Sequence, residues 1–176
     1  MKLEFLSFDF NKFANEMQNL KDKKHFDYLV TIVGEDFGED GLGCVYILEN
    51  TDTHERCSVK MIAKTQVCGD GIASNGTGDT DGQMIPYLPT VSNIWRVADL
   101  LEREVYDFYG IVFLGHTDMR RLFLRSDFKG FPFRKDWKFD DSYSLEDDVE
   151  PDYGLEYFLD KDGNLQSKQN KLFTSD

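Results

Sequence analysis

Residues 90–110, TVSNIWRVADLLEREVYDFYG, are the most regular stretch of the chain and predict an amphipathic helix. Hydrophobic residues recur every three or four positions, which gives the helix one apolar face, formed by Ile94, Val97, Ala98, Leu101, Val105 and Phe108. Thr90 or Ser92 can cap the start of the helix, and Gly110 can end it in the left-handed conformation. The solvent-exposed face is expected to carry three charged residues spaced four apart, Asp99, Arg103 and Asp107.

A further helix and three strands are predicted ahead of this stretch. The helix follows from hydrophobic residues at helical spacing, namely Phe10, Phe13, Ala14, Met17 and Leu20. Strands are predicted at residues 26–33, 44–49 and 57–63, and the polar turn between the last two indicates an antiparallel hairpin. The third strand alternates between a buried set and an exposed set, with Ser58, Lys60 and Lys64 in the exposed set. The predicted fold class is α/β (α+β): a small, mostly antiparallel sheet with helices on one face, followed by an extended irregular C-terminal arm.

Residues 69–82 hold five glycines among small polar residues, which predicts a mobile loop. Asp79 to Gly82 are similar to the opening of a calcium loop, but no carboxylate follows at the spacing of an EF-hand. The glycines also do not match the phosphate-binding patterns.

We divide the chain into two parts. Residues 1–110 are predicted to form an α/β domain, which contains this loop, and residues 111–176 an extended partner-binding arm with an acidic tail.

Length and charge exclude several classes of protein. The chain has 176 residues and a formal net charge of −13, so it is long enough for one core and too acidic to favour phosphate backbones or anionic membrane surfaces. No apolar stretch approaches the roughly 20 residues that span a bilayer, and no targeting pattern is recognisable. We expect a soluble, untargeted chain that binds no nucleic acid and does not insert directly into a membrane.

The three cysteines, Cys44, Cys57 and Cys68, lack the close spacing of a zinc or iron–sulfur site. We expect them to be reduced structural cysteines, and the alternative is a disulfide between Cys44 and Cys57 if their strands pair.

Charge is unevenly distributed along the last third of the chain. Residues 102–138 contain 8 basic and 6 acidic side chains, whereas residues 140–176 contain 3 basic and 11 acidic ones. The acidic segment nevertheless holds several large hydrophobic residues, Tyr143, Tyr153, Leu155, Tyr157, Phe158 and Phe173. A solvated tail rarely contains so many, so we expect this segment to become ordered against a partner.

A cluster of ionisable residues lies around residue 110. Glu102, Glu104, His116 and Asp118 are of the types that bind metals or transfer protons, so a stand-alone metal-dependent hydrolase is one hypothesis. The alternative is that these groups form salt bridges and caps on an exposed surface, which would suit an acidic α+β binding module.

The three consecutive motifs of this region carry a resemblance. LEREVYDFYGI at 101–111 continues into FLGHTDMRRL at 113–122 and then into DFKGFPFRKD at 127–136. In this order and spacing, the motifs resemble the C subunit of respiratory complex I, the NADH–quinone oxidoreductase. The similar region covers residues 88–137, a little under a third of the chain.

The resemblance implies a non-catalytic structural subunit of the hydrophilic arm, on the cytoplasmic face of the bacterial cell membrane. Such a subunit braces the neighbouring large subunit near the quinone site, and flavin, iron–sulfur clusters, NADH and quinone belong to other subunits. A hydrogenase-type or ferredoxin-dependent relative is the alternative within the same resemblance. No catalytic, cofactor-binding or metal residues are expected. The predicted partner-binding residues are Glu102, Arg103, Glu104, Asp107, His116, Asp118, Arg120, Arg121, Asp127, Arg134, Lys135 and Asp136. Of these, Arg120, Arg121, Arg134 and Lys135 are expected to contact carboxylates of the partner.

Overall fold

The computed structural model describes residues 5–67, 84–138 and 155–169. This part of the chain contains two α-helices and nine strands. The helices are α1 (Phe13–Lys24) and α2 (Ala98–Tyr109). The strands are β1 (Phe5–Ser7), β2 (Tyr28–Asp36), β3 (Leu42–Glu49), β4 (Arg56–Ile62), β5 (Lys64–Val67), β6 (Met84–Pro89), β7 (Val112–Leu114), β8 (Leu155–Leu159) and β9 (Leu165–Gln169).

The first sheet has the strand order β1-β4-β3-β2, and both helices pack on one of its faces. The predicted hairpin is confirmed, because β3 and β4 pair antiparallel with Tyr46 opposite Val59. On the helix side, the ring of Phe13 in α1 lies 5.2 Å from the ring of Tyr46, and Gly34 approaches Tyr109 of α2. A side chain at Gly34 would collide with that ring, so the glycine allows α2 to lie close against the sheet.

A second sheet has the order β5-β6-β7-β8-β9. The mixed α+β class is confirmed, but the single predicted sheet is two sheets. Strands β6 and β7 are parallel neighbours joined through α2, and β8 and β9 form an antiparallel hairpin. The sequence pattern did not predict β6 because four successive residues from Ile85 to Leu88 are buried, and a strand buried on both faces has no alternation.

The segment after residue 110 takes part in this second sheet. The division predicted at residue 110 falls between two paired strands, β6 and β7. The expectation that the aromatic residues of the acidic segment need a partner is wrong for Tyr157, which is fully buried in β8. The predicted loop at 69–82, Cys68, Tyr143, Tyr153 and Phe173 lie outside the described residues.

Helix α2 begins later than its apolar pattern predicts. Residues before Ala98 form successive turns, in which Trp95 donates to the carbonyl of Val91 and Ala98 to that of Trp95. The prediction that Thr90 or Ser92 caps the helix is therefore wrong, since Val97 stands at the N-cap without a side-chain bond. The prediction for Gly110 is confirmed, because it ends α2 with a φ of 68°.

Two further sequence predictions, for the cysteines and for Ser58, have clear outcomes. Cys44 and Cys57 are free, as expected. Their strands pair, but the two cysteines are not opposite each other, because Cys44 lies opposite Met61. Ser58 was expected on an exposed face but is buried, since β1 pairs beside it. Within the described residues, neither helix is long and apolar enough to cross a membrane.

Candidate partner-binding site

The last turn of α2 carries a carboxylate that organises the segment following β7. Asp107 was expected on the exposed face of the helix, but it is fully buried. Its Oδ2 accepts hydrogen bonds from the backbone N–H groups of Leu122 (3.2 Å), Phe123 (2.6 Å) and Leu124 (2.9 Å). Three consecutive N–H groups aimed at one oxygen form an anion-binding turn, which here is occupied by the protein's own carboxylate.

Arg121 completes this arrangement from the opposite side. Its Nη1 donates to Oδ1 and to the backbone carbonyl of Asp107, both at 3.0 Å. Its Nη2 donates to the carbonyls of Phe128 (3.0 Å) and Gly130 (2.9 Å), and the guanidinium lies 5.2 Å from the ring centre of Phe131. One side chain thus joins the end of α2 to two later points of an irregular segment. The structure gives Arg121, which is 8% exposed, a role inside the chain.

Glu102 lies one and a half turns earlier and ties α2 to the residues that precede it. The hydroxyl of Thr90 donates to Oε2 at 2.6 Å, and the backbone N–H of Val91 donates to Oε1 at 2.7 Å. The carboxyl group is fully buried. Burial raises the pKa of Glu102 to about 8, and the two hydrogen bonds oppose that increase.

His116 connects α2 to the turn after β7. Its Nδ1 accepts the backbone N–H of Asp118 at 3.0 Å, so the ring proton is on Nε2, which donates to the carbonyl of Asp99 at 3.0 Å. Burial lowers the pKa of His116, which favours this neutral form. Glu102 Oε2 lies 4.0 Å from Nε2. In the described ranges, no group of three or more His, Cys, Asp or Glu residues is placed to hold a metal ion.

Arg103 reaches the same turn from the next position of the helix. Its Nε and Nη2 donate to the carbonyls of Arg120 (3.2 Å) and Arg121 (3.1 Å). Asp118 lies 3.7 Å from Arg103 and accepts two hydrogen bonds from Arg120. Burial opposes ionisation of Asp118, but the bonds from Arg120 and the charge of Arg103 prevail and lower its pKa.

The final motif is fastened to both α2 and the first sheet. Arg134 Nε donates to the carbonyl of Tyr109 at 2.5 Å, and the backbone N–H of Lys135 donates to Asp36 at 2.8 Å. The side chains of Lys135 and Asp136 are exposed. Hydrogen bonds at several separate points therefore hold the irregular segment 115–138 against the rest of the chain.

Three aromatic rings form a surface feature that the sequence motifs do not reveal. Phe108 stacks against Phe133, with ring centroids 4.4 Å apart and an interplanar angle of 12°. It also stacks against Phe123, with ring centroids 5.8 Å apart and an angle of 21°. Phe123 is 65% exposed and Phe133 is 56% exposed. We call Phe108, Phe123 and Phe133 the Phe stack. Only Phe108 is predicted on an apolar face, and nothing local to the other two rings indicates that they meet it.

The twelve predicted partner-binding residues fall into three groups. Four are buried and bonded inside the chain, Glu102, Asp107, His116 and Arg121. Five are partly exposed, Arg103, Asp118, Arg120, Asp127 and Arg134, and three are exposed, Glu104, Lys135 and Asp136. The structure thus gives internal contacts to the four buried residues of these motifs. Whether any of the twelve also contacts a partner stays a prediction.

Comparison with known families identifies the family of this chain. The family of the respiratory-chain NADH dehydrogenase, 30 Kd subunit, matches residues 6–143, which is most of the chain. The chain belongs to this family. The resemblance to the C subunit of complex I, first seen in the motifs at residues 101–136, is confirmed by this match and by the names of the relatives.

Relatives of this chain match it to different extents. The C/D subunit of NADH-quinone oxidoreductase from Phocaeicola vulgatus is 40% identical over 166 residues, which is 94% of this chain and 29% of that protein. The C subunit from Chloroherpeton thalassium is 37% identical over 123 residues, 69% of this chain and 44% of that protein. Subunit 5 of the Thermus thermophilus oxidoreductase is 48% identical over 60 residues, 34% of this chain and 29% of that protein. The chain spans less than a third of the length of the C/D relatives.

Proposed function

We propose that this chain is a non-catalytic structural subunit of the peripheral arm of a respiratory NADH–quinone oxidoreductase. It supports electron transfer from NADH to quinone by bracing the neighbouring large subunit near the quinone site. It binds no cofactor itself, and flavin, iron–sulfur clusters, NADH and quinone are held by other subunits. The complex places it peripherally on the cytoplasmic face of the membrane. The names of the relatives favour this assignment over a hydrogenase-type complex.

The observation that carries the proposal is the way the irregular segment 115–138 is held in place. Ordering a segment without helices or strands costs conformational entropy, roughly 1 to 2 kcal/mol per residue for the backbone. Here Asp107 and Arg121 supply bonds that hold the segment in the isolated chain. A surface that is ordered before binding has less entropy to lose on association, which is the property needed by a subunit that braces another.

The relatives indicate which partner is braced. The Phocaeicola vulgatus protein is named as a C/D subunit, and this chain matches only 29% of its length. A polypeptide that carries C and D parts keeps them at high effective concentration, which is useful only when the two parts bind each other. We therefore infer that the D part of the oxidoreductase is the large subunit to which this chain binds.

The test is affinity purification of the tagged chain from detergent-solubilised membranes of its own organism. We expect the D part to be recovered with it, together with NADH:quinone activity that the free chain lacks. Arg121→Ala, which releases segment 115–138, should lower this recovery. Arg56→Ala should not, because Arg56 is largely exposed and its ion pair with Glu49 lies within the β3–β4 hairpin, away from that segment. Recovery of the wild-type chain without any oxidoreductase subunit would refute the proposal.

A further inference from the structure

The Phe stack leaves two large rings in solvent although the chain has a core into which aromatic residues fit. Phe123 and Phe133 both stack on Phe108, and Tyr109 meets Phe133 edge-on at a centroid distance of 5.7 Å. Aromatic side chains bury roughly 150 to 250 Å² each when covered, so the exposed halves of two rings form a substantial apolar patch. Patches of this kind on a soluble surface mark binding sites for other molecules.

The backbone holds these rings in fixed positions. The N–H of Phe123 donates to buried Asp107 at 2.6 Å, and the N–H of Phe133 donates to the carbonyl of Phe108 at 3.1 Å. Phe108 itself belongs to α2. Each ring is therefore anchored to the same end of the same helix, and the stack loses little freedom when a partner covers it.

The segment between residues 119 and 138, which carries Phe123 and Phe133, differs in charge from the chain as a whole. Four basic side chains between residues 119 and 138 are exposed, Arg125, Lys129, Lys135 and Lys138, against one exposed acidic side chain, Asp136. The whole chain carries a net charge of −13. A basic segment in so acidic a protein favours a partner surface that presents carboxylates.

We propose that the Phe stack is the anchor of this chain on the D part of the oxidoreductase, where it fits an apolar pocket whose rim carries carboxylates. The inference rests on the proposed function, since the D part is the partner argued above. Buried aromatic anchors at the centre of an interface carry most of the binding energy, and the charged rim gives specificity and speeds association.

Other exposed hydrophobic residues provide matched controls. Tyr28 is 52% exposed at the first position of β2, and Leu100 is 53% exposed on α2. Both resemble Phe133 in exposure, but neither belongs to a stack of rings within the described residues. Loss of either side chain removes exposed apolar area without touching the anchor.

The experiment titrates the purified, fluorescently labelled full chain against solubilised membranes from a strain that lacks it. Phe123→Ser and Phe133→Ser are each expected to raise the apparent dissociation constant by at least about 30-fold, which is the effect of losing an interface hot spot. Tyr28→Ser and Leu100→Ser should leave it within about threefold. Binding of the wild-type chain should weaken as salt concentration rises, and Lys135→Glu should weaken binding at low salt.

Each outcome is decisive. If the wild-type chain does not bind, the proposed function fails; if it binds and both serine variants bind equally well, the Phe stack is not the anchor. A wild-type dimer that the serine variants convert to monomer would assign the stack to a second copy of this chain and overturn the inference. A serine variant that melts well below the wild type would show that the ring is needed for folding of the chain itself. Phe123→Leu separates folding from binding in that case. This variant is expected to keep the melting temperature of the wild type and to bind several-fold more weakly.

Discussion

Replacement of Asp107 by asparagine should strongly destabilise the chain, although the two side chains have nearly the same shape. The Asp107 carboxylate accepts three backbone N–H groups on Oδ2 and the Arg121 guanidinium on Oδ1. An asparagine can keep the three N–H bonds with its carbonyl oxygen, but its NH2 group then faces the guanidinium, donor against donor. The charge of Arg121, which is almost fully buried, loses its counter-ion.

The expected cost is about 3 to 5 kcal/mol, the range measured when one member of a buried ion pair is removed. For a chain of this size, each kcal/mol lowers the melting temperature by roughly 2 to 4 °C, so a decrease of at least about 6 °C is expected. Asp127→Asn is the matched control. Asp127 pairs with Arg125, whose side chain is 48% exposed, so solvent screens this pair more than the Asp107–Arg121 pair and its loss should cost less.

Urea unfolding of the purified chain measures both variants. Buried Trp95 reports the core, and Trp137, which stacks on Phe128 and bonds to Lys129, reports segment 115–138. A double variant with Arg121→Met should cost less than the sum of the two single changes, because Asp107→Asn no longer strands a charge when the arginine is absent. If Asp107→Asn and Asp127→Asn cost the same, or if the double-variant costs are additive, the buried pair does not organise this segment.

Three further outcomes are expected. Burial raises the pKa of Glu102 to about 8, so the folded chain retains a proton that the unfolded chain releases near pH 4.5. The contribution of this carboxyl group to the free energy of unfolding is therefore fully present below pH 4.5 and is lost as the pH rises through 8. Glu102→Gln should therefore flatten the fall in melting temperature across that range, and parallel curves would contradict the assignment. Gly110→Ala should lower the free energy of unfolding in urea by at least about 2 kcal/mol, because Gly110 has a positive φ and the added Cβ would lie 2.4 Å from an aromatic ring. Gly163→Ala is the control, since Gly163 has a positive φ in open space, and it should lower the free energy of unfolding by about 1 kcal/mol. Cys57, which is partly exposed, should react with a thiol reagent before Cys44, whose pKa burial raises, and equal rates by peptide mapping would contradict the burial of Cys44.

Local patterns in the sequence identified the elements whose burial follows a regular period. Helix α1 buries Phe13, Met17 and Leu20, as its spacing of three and four residues predicts. The β3–β4 hairpin and the end of α2 at Gly110 were likewise predicted, since both depend on residues within a few positions of each other. The motifs at residues 101–136 also identified the family.

The second sheet could not be predicted from these patterns. Strands β6 and β7 are short and buried, and they pair in parallel across the whole of α2. A short apolar run has the same appearance whether it forms a strand or a buried turn, and its pairing depends on residues more than 20 positions away.

The sequence by itself determined that the two helices and the β3–β4 hairpin form, and to which family the chain belongs. Only the tertiary structure decided which charged residues are buried. Asp107 occupies a helix position that suits an exposed carboxylate, and its burial is favourable only because Arg121, which comes from a later segment of the chain, pairs with it. Periodicity reports the average polarity of a helix face, whereas the cost of burying a charge is set by the partner that neutralises it, and that partner is a property of the fold.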